Sequence, residues 1–106
     1  MATWKQMTGE TIKESFLRFD ESNPDVYEMF KKYAFYLFGR GIKKTSGYMI
    51  VERVRWEVHV KTVGNDYKIN NNFRPHYVRK FIAEFPEYAD RFEIRKLRDE
   101  IIEEYE

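Results

Sequence analysis

His59 and His76 are the only imidazoles in this chain, and there is no cysteine. A zinc site would have to complete two histidines seventeen residues apart with carboxylates, and no metal-ligand spacing is present. The triplet Asp66-Tyr67-Lys68 matches the acid-x-Lys half of a metal-dependent nuclease motif, with Glu52 or Glu57 as the second carboxylate. At 35% charged residues, however, chance supplies about three such triplets, and Glu93-Ile94-Arg95 is another. There is no phosphate loop, no dinucleotide fingerprint and no nucleophile paired with a base. The expectation is a protein that is not an enzyme and uses no metal and no cofactor.

What remains is charge. The totals nearly cancel, with 19 Lys and Arg against 18 Asp and Glu. They are sorted along the chain. Residues 1–30 carry three cations and six carboxylates, residues 31–81 twelve and three, residues 82–106 four and nine. A basic middle between acidic ends is either neutralised by surface ion pairs on folding or forms one cationic face of the kind that binds nucleic acid. On the second reading the contact residues are Lys43 and Lys44 in a basic turn, Arg53 and Arg55 on a helix, and Lys68 in a hairpin. Asn71, Asn72, Arg74, His76, Arg79 and Lys80 follow at the start and along the front of a later helix. In a groove-reading helix, base contacts come from near the amino end, here Asn71, Asn72, Arg74 and His76, while Arg79 and Lys80 hold phosphates. The three asparagines also serve as plain caps and turn residues.

The elements that must position these residues follow from hydrophobic period and caps. Ile12, Phe16 and Phe19 mark a short helix over residues 8–19, with Thr8 as cap. Asn23, Pro24 and Asp25 then open a strong helix whose inner face is Val26, Phe30, Tyr33, Ala34, Leu37 and Phe38, ended by Gly39 and Gly41. Residues 46–60 are ambiguous. Ile50, Val54 and Val58 fit a helix, whereas Val54, Trp56, Val58 and Val60 alternate with charged residues as in a half-buried strand. The pattern is read as a helix from 46 to about 56 or beyond that passes into an extended arm near Val60. Gly64-Asn65-Asp66 then turns the chain, and Tyr67-Lys68-Ile69 pairs back as a hairpin. A helix after Asn72 buries Tyr77, Val78, Phe81, Ile82 and Phe85 and turns Arg74, His76, Arg79 and Lys80 to solvent. Pro86 starts a last helix, residues 87–104, with Tyr88, Phe92, Leu97 and Ile101 inward.

The sum is a mainly α, compact domain of four to five helices with one short β-hairpin, winged-helix-like in plan. Its hairpin precedes the candidate recognition helix, where the usual wing follows it. The 106 residues form one domain, with 1–7 and 100–106 frayed. Nineteen aromatics supply a core without disulfides. Phe30, Leu37, Val54, Trp56, Phe81 and Phe92 are its expected members, although Tyr48, Trp56, Tyr67 and Phe73 would also serve as stacking platforms for bases if exposed. No apolar run approaches a membrane span and no signal-peptide core opens the chain, so the expectation is a soluble, cytoplasmic protein.

Four stretches bear a family likeness. Asn23-Pro24-x-Val26-Tyr27-x-x-Phe30, Glu52-Arg53-Val54-Arg55-Trp56, and Tyr67-Lys68-Ile69-Asn70-Asn71-Asn72 with Tyr77-Val78-Arg79-Lys80-Phe81 resemble short, largely uncharacterised proteins of phages and prophages. The likeness spans residues 16–95 and implies a mobile-element origin without assigning roles to residues. Such proteins tend either to bind DNA or to bind a host protein. The first expectation is therefore a non-catalytic DNA-binding protein using the basic block 31–81. The alternative is a protein that binds and inhibits or adapts a host protein.

Overall fold

The computed structural model describes residues 11–64 and 68–93. Helix α1 (Ile12–Ser22) opens on Thr11, not Thr8, which lies outside the described residues. The Thr11 hydroxyl accepts from the Glu14 amide at 3.0 Å and the Glu14 carboxylate from the Thr11 amide at 2.9 Å, a reciprocal cap that satisfies two otherwise unpaired donors. Asn23 stands before α2 (Pro24–Gly39) as expected, with Pro24 in the first turn. Its side chain, however, donates from Nδ2 to the Phe19 carbonyl at 3.1 Å. It ties off α1 and leaves α2 without a side-chain cap.

Helix α3 runs from Gly47 to Lys61, capped by the Ser46 hydroxyl on the Met49 amide at 3.1 Å. This corrects the expected extended arm. Gly47, Ile50, Val51, Val54 and Val58 are buried at helical spacing, against α2 on one side and a later helix on the other. That inward face decides the conformation. The strand-like alternation divides across the helix, because a step of two residues turns about 200°. Val54 and Val58 therefore face the core, while Trp56 and Val60 face water. No strand occurs among the described residues, so the hairpin and the wing have no counterpart there. Tyr67, one of the three residues of the expected second arm, lies outside them.

After the 3-10 turn Asn71–Phe73, helix α4 (Arg74–Glu84) fills the centre of the fold, packing on α2, on α3 and on both 3-10 segments. Its core face is His76, Tyr77 and Phe81. Burial of His76, stacked on the Phe16 ring at 5.3 Å, corrects its expected solvent position. The inward stripe is rotated toward the amino end because α1 and Phe73 cover that side: Phe16 also meets Phe73 at 5.6 Å and Tyr77 at 4.7 Å. At Gly47 the absence of a side chain lets α3 approach α4 closely. A Cβ on Gly47 would stand 2.5 Å from Val78 Cγ2 and 3.3 Å from the Arg74 carbonyl oxygen.

Pro86 begins a 3-10 segment (Pro86–Arg91) in place of the expected last α-helix, and the chain is extended again at Phe92. There Thr45 forms an isolated parallel bridge with Phe92: the Thr45 amide donates to the Arg91 carbonyl at 2.9 Å, and the Glu93 amide to the Thr45 carbonyl at 2.7 Å. The rest of the expected helix, from 94 on, falls outside the described residues. Phe92 seals an aromatic core, 6.3 Å from Phe30 and 5.5 Å from Phe81. Phe30, Val54, Phe81 and Phe92 are buried as expected, and Leu37 is partly so. Trp56 is not: it is 58% exposed, which corrects its place in the core.

Candidate functional site

The residues of the expected cationic face meet different fates. Arg55 is half-buried and engaged within the chain, its guanidinium bonded to Glu52, to the Ile69 carbonyl at 2.6 Å and to the Asn71 side chain. Lys80 pairs with Asp20 of α1 and covers the Tyr27 ring at 4.2 Å. Arg74 stacks 4.8 Å from the centre of Tyr48. His76 is buried, and Arg79 is exposed with its Nη1 3.5 Å from His76 Nδ1. Among the asparagines, Asn71 accepts from Arg55, and the Asn72 amide donates to Asn70 Oδ1 at 2.8 Å, so both serve the turn into α4. Lys68 is exposed, and Lys43 and Lys44 are exposed beside a shallow depression that they line with Gly41, Asp90 and Arg91. Arg91 is pinned there, donating to the carbonyls of Lys43 at 2.7 Å and Ile42 at 2.9 Å. The contacts thus join Arg55 to Asn71 and cluster Lys43 with Lys44. They place Lys80 at a separate junction between α1, α2 and α4.

A second surface emerges on α3, where the apolar residues that the core does not use lie. Met49 is 57% exposed, Trp56 58% and Val60 53%. With Arg53, also exposed, they recur at steps of four, three and four residues and so form one line along the helix. Arg53 is the pivot. Its guanidinium carbon lies 4.6 Å from the Trp56 ring centre and 4.6 Å from that of Tyr33 on α2, giving each ring a cation on one face. Tyr33 donates its hydroxyl to Glu57 at 2.5 Å, and Glu57 also approaches Arg53 at 3.6 Å and Lys61 at 3.7 Å. Lys32 lies 5.1 Å from the Tyr33 ring centre. Tyr36, 62% exposed, is one turn further along α2.

The electrostatics follow from these bonds. The Tyr33 phenol is pushed above its ordinary value, by loss of solvent first and then by the hydrogen bond and charge of Glu57. The Glu57 carboxyl is held below its ordinary value, chiefly by the Tyr33 hydroxyl and then by Lys32, Lys61 and Arg53. Near neutral pH the donor stays a phenol and the acceptor a carboxylate. The hydrogen bond and the two ring contacts set Tyr33, Arg53 and Trp56 against one another.

The sequence pattern placed Arg53 among the nucleic-acid contacts and Trp56 in the core, and kept the two apart, although they stack. The available signal was the second apolar line at positions 49, 56 and 60 on an element already carrying a complete inner face. Tyr27 repeats the pattern in the interior, donating to Glu84 at 2.6 Å, with its phenol pushed up by burial and by that carboxylate. Of the nuclease-like triplet, Asp66 and Tyr67 lie outside the described residues. Both candidate second carboxylates are engaged, Glu52 by Arg55 and Glu57 by Tyr33. No group of three His, Cys, Asp or Glu residues able to hold a metal ion occurs among the described residues. No helix among them is long and apolar enough to cross a membrane.

No family model, no curated protein and no solved structure matches the chain.

Proposed function

We propose that this chain is a non-catalytic binding protein that engages a protein partner through the outer face of α3. The observation that carries the reading is Trp56, 58% exposed and stacked on Arg53 in line with exposed Met49 and Val60. Trp, Tyr and Arg are the residue types that dominate protein contacts energetically, and here Arg53 packs on both Trp56 and Tyr33, which lowers the cost of arranging them on binding. The likeness to phage-encoded proteins makes a host protein, inhibited or adapted in the cytoplasm, the partner class. In this reading the wing of a winged helix is not needed, because α4 is a core helix and α3 is the presenting one.

The test is a photoreactive benzoylphenylalanine in place of Val60, with the same probe at Lys44 for comparison. Irradiation in cells should give a discrete protein adduct from position 60 that Trp56→Ala removes. A nucleic-acid adduct from position 60, or no adduct, defeats the reading. DNA binding has its own support in exposed Lys43, Lys44, Lys68 and Arg79. Fluorescence anisotropy against duplex and single-stranded DNA at two salt concentrations tests it, with a log–log slope of roughly −0.9 per phosphate contacted on duplex.

A further inference from the structure

We infer that the occupant of the α3 face is an amphipathic helix with an acidic border, lying along Met49, Trp56 and Val60. The inference rests on the reading that this face is a protein contact, and it adds the chemistry of the partner. Three features of the surface point to it.

The first is length and spacing. Met49 to Val60 is three turns of helix, about 16 Å, and the steps of four, three and four residues through Met49, Arg53, Trp56 and Val60 are the spacing at which side chains of a second helix interlock with a first. A partner helix presenting apolar residues opposite Met49, Trp56 and Val60 and an acidic residue opposite Arg53 matches that line from end to end.

The second is the backbone. The stripe lies on a helix whose amides and carbonyls are spent internally, and no strand edge occurs among the described residues. An extended peptide therefore finds nothing to pair with by strand addition, and recognition falls to side chains.

The third is charge. Arg53 lies within the line, and Lys32 and Lys61 flank it beside Tyr33 and Glu57. The carboxylate among them, Glu57, already accepts from Tyr33 and approaches Arg53 and Lys61. The next acid along the helix, Glu52, is bonded to Arg55. The border is left with an excess of positive charge, which an acidic partner complements and a basic one meets with repulsion. Stacked bases suit the site less well, since the guanidinium of Arg53 already occupies one face of each ring.

The experiment is selection of a displayed random 16-residue peptide library on the immobilised full-length chain, followed by affinity measurement with the enriched peptides as synthetic probes. The expected peptides carry Leu, Ile or Phe at helical spacing, bear net negative charge, and gain helicity on binding by circular dichroism. Trp56→Ala should weaken them about 30-fold. Lys32→Glu with Lys61→Glu should weaken them about tenfold and shift preference to Lys-bordered versions of the same peptides. Circular dichroism of each variant alone separates these losses from unfolding. Peptides that need Trp56 but are basic, or lack helical period, overturn the acidic-helix inference and leave the protein-contact reading standing. Peptides indifferent to Trp56→Ala, or no enrichment over a chain-free control, overturn both.

Discussion

Lys80→Glu separates an internal from an external role for the basic block more sharply than any other single change. Lys80 pairs with Asp20, whose side chain is only 12% exposed, and rests 4.2 Å over Tyr27, which itself donates to Glu84 at 2.6 Å. Reversal removes one cation and brings a third carboxylate to a junction already holding two. Loss of the pair and of the ring contact costs about 1 to 2 kcal/mol. Lys80 is 40% exposed, so solvent screens the new repulsion. Two like charges about 4 Å apart then add roughly 1 to 2 kcal/mol at an effective dielectric constant between those of a protein surface and of water. The total is about 2 to 4 kcal/mol, or a fall in thermal midpoint of roughly 10 to 25 °C for a domain of this size. Thermal melts followed by far-ultraviolet circular dichroism measure it, with Lys80→Gln expected between wild type and Lys80→Glu. Lys44→Glu is the control: this lysine is exposed and holds no ion pair among the described residues, so its midpoint should barely move. Adding Asp20→Lys should recover much of the loss. Equal midpoints for Lys80→Glu and wild type would refute the internal pairing and return Lys80 to the set of available surface cations.

The remaining predictions concern the core, the helix crossing and pH. Phe81→Ala, at a fully buried position facing Phe30, Phe85 and Phe92, should cost about 3 to 5 kcal/mol, whereas Trp56→Ala should change stability by less than about 1 kcal/mol; chemical denaturation of both variants reads the contrast. Gly47→Ala should destabilise by about 1 to 3 kcal/mol despite the better helix propensity of alanine, because its Cβ would meet Val78 and the Arg74 carbonyl, and Val78→Ala should relieve part of that in a double-mutant cycle. Tyr27 and Tyr33 both have raised phenol values, so their contribution is complete below about pH 10 and is lost as pH rises through the folded-state values. Glu57 has a lowered value, so its contribution is present above its unfolded value and is lost as pH falls through the folded one. Thermal midpoints of wild type and of Tyr27→Phe with Tyr33→Phe across pH 8 to about 11 should therefore converge toward the alkaline end.

The elements legible before folding were those whose local signals agreed. Helix α2 combined Asn23, Pro24 and an inner face that begins at Val26 and reaches Phe30 and Ala34, all three buried. Helix α3 was half legible because its valines satisfied two periods at once, and only packing between α2 and α4 decides between them. The fate of the cations was the least legible part. Arg55 reaches the Ile69 carbonyl fourteen residues away, and Lys80 reaches Asp20 sixty residues away; no local pattern announces either pair. Along the chain the acidic segments stand apart from the basic block, yet Asp20 of the acidic segment 1–30 folds onto Lys80. His76 was misplaced for a related reason. The side of α4 that carries it is covered by Phe16 and Phe73, residues assigned to other elements.

The outer face of α3 is tested most directly by Trp56 itself, made the sole indole by Trp4→Phe. In the isolated chain its emission should be that of a solvated indole and should be strongly quenched by acrylamide, as a side chain 58% exposed requires. Titration with an acidic helical peptide from the selection should shift the emission to the blue and protect it from the quencher, with saturation at one peptide per chain. An indole shielded before any peptide is added, or one whose emission and quenching stay unchanged at peptide saturation, contradicts the account.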